Sequence, residues 1–203
     1  MKPVRFYGSR LFRHLPVVDD NMVLQGMVTD RDLRSARPST ILDEDERQRI
    51  LDRVSMAPVK DIMSEKFYCL DEESTIDDAL QFFTIHRIGA LPVVNAQDQV
   101  IGIFSLNDMM AAYRCLFGLG EKGSMLVSIK DTGELGLLST LVRALDDKNI
   151  RCTRLIRSPG REGRVPPAIY LRVNTFNLSS VHQVIEDAGF TLLPPDRINR
   201  EVL

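Results

Sequence analysis

The sequence has little cysteine, no excess of either charge and no long apolar run. Of its 203 residues, three are cysteines, 26 are Lys or Arg and 28 are Asp or Glu, which gives a formal net charge of −2. The cysteines form no CxxC pair, so neither a disulfide framework nor a zinc site is predicted, and a reducing, cytoplasmic setting is expected. A nearly neutral chain has no field to attract nucleic acid. No stretch approaches the roughly 18 apolar residues that a membrane span needs.

The composition and the N-terminal sequence also disfavour a disordered or a secreted protein. Hydrophobic residues make up 44% of the chain, which supplies a core and excludes wholesale disorder. The length accommodates one large domain or two small ones. The basic N-terminus resembles the start of a targeting signal, but no apolar segment ending in a small-residue cleavage site follows it, so we do not expect secretion.

An internal repeat organises the first 120 residues. The string LPVV at 15–18 recurs at 91–94, 76 positions later. After each copy come a turn-prone segment, an apolar strand containing a glycine, and the pattern [T/S]-x-x-D, at 29–32 and 105–108. This order predicts a β-hairpin followed by a helix, with the Thr or Ser of each pattern as the helix N-cap.

The second repeat is longer than the first. Segments 59–63 and 67–70 are predicted to be short and extended, and a helix is predicted to begin at Ser74 or Thr75. The second LPVV begins 32 residues after Val59, whereas only 14 residues precede the first LPVV. We therefore expect the first repeat to begin within its first helix and to lack its opening strand.

The composition divides the chain into five segments. Acids followed by bases between the repeats predict a solvated linker helix. The glycines at 118–123 imitate G-x-G-x-x-G, but they follow a helix rather than a strand, so they predict a hinge. The segments are the first repeat (1–37), the linker helix (38–58), the second repeat (59–118), the hinge (119–123) and a C-terminal domain (124–203).

The repeats resemble a tandem CBS domain pair, or Bateman module. The resemblance lies in RHLPVVDDNMVLQGMVTDRDL at 13–33, VKDIM at 59–63 and GALPVVNAQDQVIGIFSLNDMM at 89–110. It implies a regulatory module that binds AMP, ADP, ATP or S-adenosylmethionine between its repeats and requires no catalytic cofactor.

Elementary chemistry makes such binding plausible. A hydroxyl and a carboxylate at positions i and i+3 share one face where a strand turns into a helix. The carboxylate can accept both ribose hydroxyls, and the free N–H groups of the helix can hold phosphate. The alternative is that the Thr or Ser and the Asp only cap the helix. The two interpretations are compatible.

The resemblance implies two sites, each shared between the repeats. The second site would lack one wall of its base pocket because the opening strand of the first repeat is missing, and the neutral Asn107 stands where the first site has Arg31. We therefore expect at most one good site per chain, with Asp32 as its ribose anchor. The better site would combine Thr29, Arg31, Asp32, Met63, Ser64, Tyr68, Ile88, Gly89 and Ala90. The weaker site would combine Phe12, Arg13, His14, Ser105, Asn107 and Asp108.

The last eighty residues predict the order β-α-β-β-α-β, a ferredoxin-like plan, which makes the whole chain α+β. This part is similar to an ACT domain. Gly136 and Leu138 fit the strand-to-helix turn of that family, but Gly133 and Leu135 stand where its Asp and Pro are expected, which lowers our expectation of amino-acid binding here. A CBS pair followed by an ACT-like domain resembles the acetoin-utilisation accessory (AcuB-like) proteins.

No catalytic constellation is visible. His14, His86 and His182 fall in three unrelated elements, and no G-x-S-x-G, HExxH or P-loop string occurs. We expect a ligand-sensing regulatory protein without catalytic or metal sites; the alternative is a ligand-free dimerisation scaffold. Unpaired sheet edges in both parts lead us to expect a homodimer. The expected partners are an adenine nucleotide and an unknown regulated enzyme.

Overall fold

The structure is a computed structural model with mixed α and β elements that describes residues 13–160 and 166–194. Its contacts divide the chain into two units, residues 1–112 and 113–203. The predicted N-terminal helix, together with Phe12, lies outside the described residues.

Each repeat contains one antiparallel hairpin, and the two hairpins have equivalent registers. His14 lies opposite Thr29 in the first hairpin, and Ala90 lies opposite Ser105 in the second. Both registers shift at the last valine of LPVV. The repeat in the sequence is therefore also a repeat of backbone geometry. The strands are β1 (His14–Val18), β2 (Leu24–Thr29), β3 (Ala90–Val94) and β4 (Val100–Ser105).

The two hairpins meet through equivalent residues. Val23 forms an antiparallel bridge with Gln99, which stands 76 positions later. The N–H of Leu24 donates to the carbonyl of Asp98 (3.2 Å), and the second repeat makes the equivalent bond at 2.9 Å. These contacts relate the repeats by a local two-fold axis near Val23 and Gln99.

Helices follow the hairpins and link the repeats. The helix of the linker region buries none of its residues, and Asp43 caps its N-terminus by accepting from the N–H of Glu46 at 2.8 Å. The helix after the first hairpin has only six residues, whereas the one after the second has eleven. The helices are α1 (Asp30–Ser35), α2 (Glu44–Met56), α3 (Ile76–His86) and α4 (Leu106–Leu116).

The prediction of an extended segment at 59–63 is wrong. Val59–Asp61 is a 3₁₀ helix, because the N–H groups of Asp61 and Ile62 bond to the carbonyls three residues earlier. The chain extends only afterwards, where Ser64 exchanges two backbone hydrogen bonds with Met27 of β2 (2.8 and 3.0 Å). The segment predicted at 67–70 pairs at a single residue, Leu70.

The second unit packs two helices against one face of a three-stranded antiparallel sheet. Alternate strand residues on that face, including Ile129 and Leu171, are completely buried with Leu141 and Ile185 of the helices. The elements are β5 (Ser124–Lys130), α5 (Leu137–Asp146), β6 (Cys152–Ser158), β7 (Ala168–Asn174) and α6 (Leu178–Asp187), and the strand order is β5-β7-β6.

The last strand predicted for this unit is reduced to one bridge. Leu192 pairs antiparallel with Ile129 of β5, and no longer strand forms among the described residues 190–194. Two backbone hydrogen bonds flank the bridge, from the N–H of Lys130 to the carbonyl of Thr191 (2.9 Å) and from the N–H of Leu193 to the carbonyl of Ser128 (2.8 Å). Segment 119–123, predicted as a hinge, lies inside the second unit, and the predicted domain boundaries stay predictions.

Candidate functional site

Both [T/S]-x-x-D patterns form helix capping boxes. Oδ2 of Asp32 accepts from the N–H (2.8 Å) and the hydroxyl (2.7 Å) of Thr29. Oδ2 of Asp108 accepts from the N–H (2.8 Å) and the hydroxyl (2.5 Å) of Ser105. The predicted N-caps are confirmed. Within the described parts of the chain, Oδ1 of each carboxylate has no hydrogen-bond partner, so capping leaves one acceptor oxygen available on each.

A third capping box provides an internal comparison. Oδ2 of Asp78 accepts from the N–H (2.8 Å) and the hydroxyl (2.6 Å) of Thr75 at the start of α3. The hydroxyl bond from Thr75 lowers the pKa of Asp78, and the bond from Ser105 lowers the pKa of Asp108 in the same way. The cap alone therefore does not identify a ligand site.

The Ser105 turn lies at a cleft that residues of both repeats line. A cleft of about 380 Å³ also adjoins the Thr75 cap, but the residues described there all belong to the second repeat. The cleft at the Ser105 turn has a volume of about 300 Å³ and opens beside the N-terminus of α4. Four residues assigned from the sequence to the weaker site line it, and Asp108 caps the helix start beside them. The lining residues are Arg13, His14, Ser105 and Asn107, together with Gly89, Ala90, Ile103 and Leu106.

Strand register brings the two repeats together at this cleft. Ala90 lies opposite Ser105, and the N–H of Leu106 donates to the carbonyl of Gly89 at 3.1 Å. A Cβ atom added to Gly89 would lie 2.9 Å from Cε1 of His14. His14 can therefore occupy this position only because residue 89 has no side chain.

The electrostatics of the cleft favour an anion. Burial and the nearby guanidinium of Arg13 lower the pKa of His14, against a smaller opposing effect from Asp32. His14 is therefore neutral at pH 7. The positive charge of the cleft comes from Arg13, and the N-terminus of the eleven-residue helix α4 adds the positive end of its dipole.

The residues predicted to form the better site contact different parts of the chain. Ser64 pairs with Met27, two residues before Thr29, and a Cβ atom on Gly26 would lie 2.8 Å from Sδ of Met63. Arg31 is exposed, and Ile88 is half-buried. Met63 and Ser64 thus lie beside the strand that leads to the Thr29 turn.

The aromatic and glycine members of that set have other contacts. The ring of Tyr68 stacks on His86 of α3 with 3.7 Å between centroids, and Phe82 lies 5.7 Å away. Gly89 and Ala90 line the cleft at the Ser105 turn. The assignment of these residues to a site at Asp32 stays a prediction.

Two lining residues were missed in the sequence. Ile103 stands two positions before Ser105 on β4, and Leu106 is the first residue of α4. The signal for Ile103 was available, because side chains two apart on a strand share one face. Leu106 lies inside the [T/S]-x-x-D pattern but is not one of its polar residues.

The described residues include neither a membrane-spanning helix nor a metal-binding cluster. In the part of the chain that the structure describes, no helix is long and apolar enough to cross a membrane. Residues 13–160 and 166–194 also contain no group of three or more His, Cys, Asp or Glu side chains that could hold a metal ion.

The repeat region is similar in sequence to several known proteins. The CBS domain family matches residues 5–39 and 59–114. A CBS domain-containing protein of Dictyostelium discoideum is 32% identical over 103 residues, which are 51% of this chain and 70% of that protein. The structure of Arabidopsis thaliana CBSX2 in complex with AMP is 27% identical, with a TM-score of 0.41 over 52% of this chain and 73% of that one. A putative acetoin utilization protein (AcuB) from Vibrio cholerae is 28% identical, with a TM-score of 0.42 over 54% and 72% of the two chains.

Proposed function

The chain belongs to the CBS-domain proteins, and on that basis we propose that it is a regulatory protein, without catalytic activity of its own, that senses an adenine-containing ligand. The main support for this proposal is the cleft of about 300 Å³ at the Ser105 turn, which both repeats line. Its volume lies at the lower end of the range of small-molecule pockets.

Each part of a nucleoside monophosphate has a matching group in the cleft or, for the ribose, beside it. The phosphate would bind Arg13 beside the positive end of the α4 dipole. The ribose hydroxyls would donate to Oδ1 of Asp108, the oxygen that the cap does not use. The base would pack against Ile103 and Leu106, two exposed apolar side chains that would lose contact with water.

The Thr29 turn is the second candidate position. Arg31 supplies a positive charge there, and Ser64, which follows Met63, pairs with the strand that leads to this turn. Against it, α1 has only six residues, so its aligned peptide dipoles add to a smaller field than those of α4. The expectation that this is the better site stays a prediction.

The proposal is tested by titrating the full chain with AMP, ADP, ATP and S-adenosylmethionine in a calorimeter, with thermal unfolding in parallel. AMP is the first ligand to try, and adenosine is its control without a phosphate. We expect Arg13→Gln to weaken AMP about tenfold and to leave adenosine unchanged. Arg53→Gln on the exposed helix α2 is the matched charge control.

If none of the four ligands gives heat or raises the unfolding temperature, the alternative function is favoured, a ligand-free dimerisation scaffold. In that case the three capping boxes would have only their structural role. The scaffold and the sensor thus predict opposite results in the same titration.

We also propose that the protein is a homodimer. Helices α3 and α4 each carry exposed apolar side chains, among them Leu80 (40% exposed) and Met110 (61% exposed). Burying such side chains against a second copy would stabilise the pair by removing apolar area from water. Sedimentation at micromolar concentration tests this proposal, and a monomer would contradict it.

The second unit is proposed to be ACT-like. The sheet order β5-β7-β6, with Leu192 beside β5, supports a ferredoxin-like arrangement. Asp131, near the turn where the family pattern departs, accepts from Nη2 of Arg157 at 2.9 Å and from the N–H of Gly133 at 2.9 Å. A link to acetoin or related carbon metabolism stays a prediction, which growth of a deletion strain on acetoin would test.

A further inference from the structure

The sheet of the second unit has a face that its helices do not cover. Residues of β5, β6 and β7 alternate between the buried core and this second face. On the second face, Leu126 and Ile156 are 49% and 37% exposed. A cleft of about 420 Å³ runs along it, closed on one side by Phe117 and Leu119.

Two arginines stand directly opposite each other in this cleft. Arg154 of β6 is the register partner of Arg172 of β7, so their side chains leave the same face as cross-strand neighbours. Two like charges in such a pair destabilise a sheet. A nearby anion would offset this repulsion.

Only one of the two guanidiniums has a carboxylate. Arg154 donates to both oxygens of Glu121 (2.6 and 2.7 Å) and to the carbonyls of Cys115 and Leu116. Arg172 donates to the hydroxyl of Ser124 at 3.1 Å and forms no ion pair with any carboxylate of the described residues. Among the described residues, two cations and one anion leave one positive charge in the cleft.

The rest of the lining is largely apolar. Phe117, Leu119, Leu126 and Ile156 form its walls, and none of the described lining residues is acidic. A ligand that fits must therefore combine an apolar body with a single anionic group. A planar carboxylate suits the forked donors of a guanidinium and carries the one charge that is needed.

We propose that this cleft binds a small monocarboxylate with an apolar body, whose carboxylate pairs with Arg172 and whose body lies against Leu126 and Ile156. A ligand with an added ammonium group fits less well, because Glu121, the acid next to the cleft, is already bonded twice to Arg154. A second copy of the chain fits less well too, because two-fold packing of this face would bring two excess positive charges together.

The test uses the full chain, with octanoate and 3-phenylpropanoate as probes and octanamide and octylamine as neutral and cationic controls of similar shape. Binding is followed by calorimetry and by the methyl NMR signals of Leu126 and Ile156. We expect both carboxylates to bind and to shift these methyl signals, and octanamide and octylamine to bind at least about tenfold more weakly.

The variant Arg172→Gln should weaken the carboxylates about tenfold or more without loss of folding, since it removes the cross-strand repulsion. Arg151→Gln, at an exposed arginine that does not line the cleft, is the matched control and should bind as the unmutated chain does. A second variant, Ile156→Trp, should block the body of the ligand while leaving both arginines in place.

Four results would overturn the proposal. The first is no binding of the carboxylates up to about 10 mM, and the second is equal binding of octanoate and octanamide. The third is tighter binding of octyl phosphate, added as a competing anion, than of octanoate. The fourth is an unchanged carboxylate affinity in Arg172→Gln. Adenine ligands do not enter this experiment, so its outcome is independent of the function proposed for the CBS pair.

Discussion

The two repeats share a backbone and differ in what surrounds it. Register, bulge and capping box recur 76 positions apart. Yet Gly26 lies against Met63 and Ser64, whereas a Cβ atom built on the equivalent Gly102 would have, among the described residues, only Cβ of Val93 within 4.0 Å. Equal sequence patterns therefore produce equal local geometry, whereas neighbours from distant parts of the chain decide what each copy can do.

The largest expected difference between the repeats comes from adding one methyl group at equivalent glycines. A Cβ at Gly26 would lie 2.8 Å from the carbonyl oxygen of Ser64, so backbone must move and Gly26→Ala should cost about 1–3 kcal/mol. Gly102→Ala should stay within about 0.5 kcal/mol of the unmutated chain. Urea unfolding followed by circular dichroism measures both, and equal losses would show that the two environments do not differ.

Removing each motif carboxylate separates the two candidate ligand positions. We expect Asp108→Ala to weaken AMP about tenfold, because Oδ1 is lost as a ribose acceptor. The sequence argument expects instead a 10- to 150-fold loss from Asp32→Ala and little from Asp108→Ala, estimates that follow from a charge-assisted bond of about 1.5–3 kcal/mol. Calorimetric titration of both variants decides between the two positions.

Asp78→Ala is the control for that experiment, since it removes an equivalent cap from α3, a helix that follows no LPVV hairpin. Its AMP affinity should equal that of the unmutated chain. A loss confined to Asp32→Ala would move the ligand to the Thr29 turn. A loss in all three variants would mean that the titration reports stability rather than contact with AMP.

The capping boxes should contribute unequally to stability. Thr75→Ala should cost about 1 kcal/mol, because α3 buries Ala79 and Phe83 and its fraying would expose them. Thr29→Ala should cost less, because α1 buries none of its residues. Urea unfolding of the two variants tests this order, and a larger cost for Thr29→Ala would show that the first turn contributes more than its packing indicates.

The smallest expected effect concerns pH and the pair His14 and Ala90, which are equivalent in the repeat. The folded state lowers the pKa of His14, so its stabilising contribution is present above the usual histidine pKa of about 6.5 and is lost as pH falls through the lower folded value. The unfolding temperature of the unmutated chain should decrease between pH 7.5 and 5.5. In His14→Ala, which places the alanine of the second repeat at position 14, we expect this decrease to be smaller by at most about 3 °C. An unchanged pH profile in the variant would contradict this.

Parts of the fold followed directly from short patterns. LPVV, the turn and [T/S]-x-x-D predicted both hairpins and the Thr29 and Ser105 caps, because strand alternation and capping depend on residues within a few positions. The prediction failed at 59–63, where i→i+3 bonds after Pro58 compete with an extended chain. It also failed for the last strand, since a single bridge at Leu192 depends on β5 rather than on the sequence of 190–193.

The candidate sites were less predictable than the elements. Arg13, His14, Ser105 and Asn107 were assigned to a site through the resemblance to CBS pairs, but the cleft that joins them depends on the missing side chain of Gly89 and on strand register. The arginine pair on the second unit was invisible, because Arg154 and Arg172 become neighbours only when β6 pairs with β7.

By itself, the sequence determined the repeat, the turn and cap chemistry, the near-neutral charge and the apolar alternation of the strands. These properties depend on contacts between residues close along the chain, where geometry is fixed by a few dihedral angles. The tertiary structure decided which capped turn adjoins a cleft lined by both repeats, which glycine has no room for a methyl group and, among the described residues, which of the two paired arginines forms no ion pair. Those outcomes depend on close packing between distant segments, which no local pattern specifies.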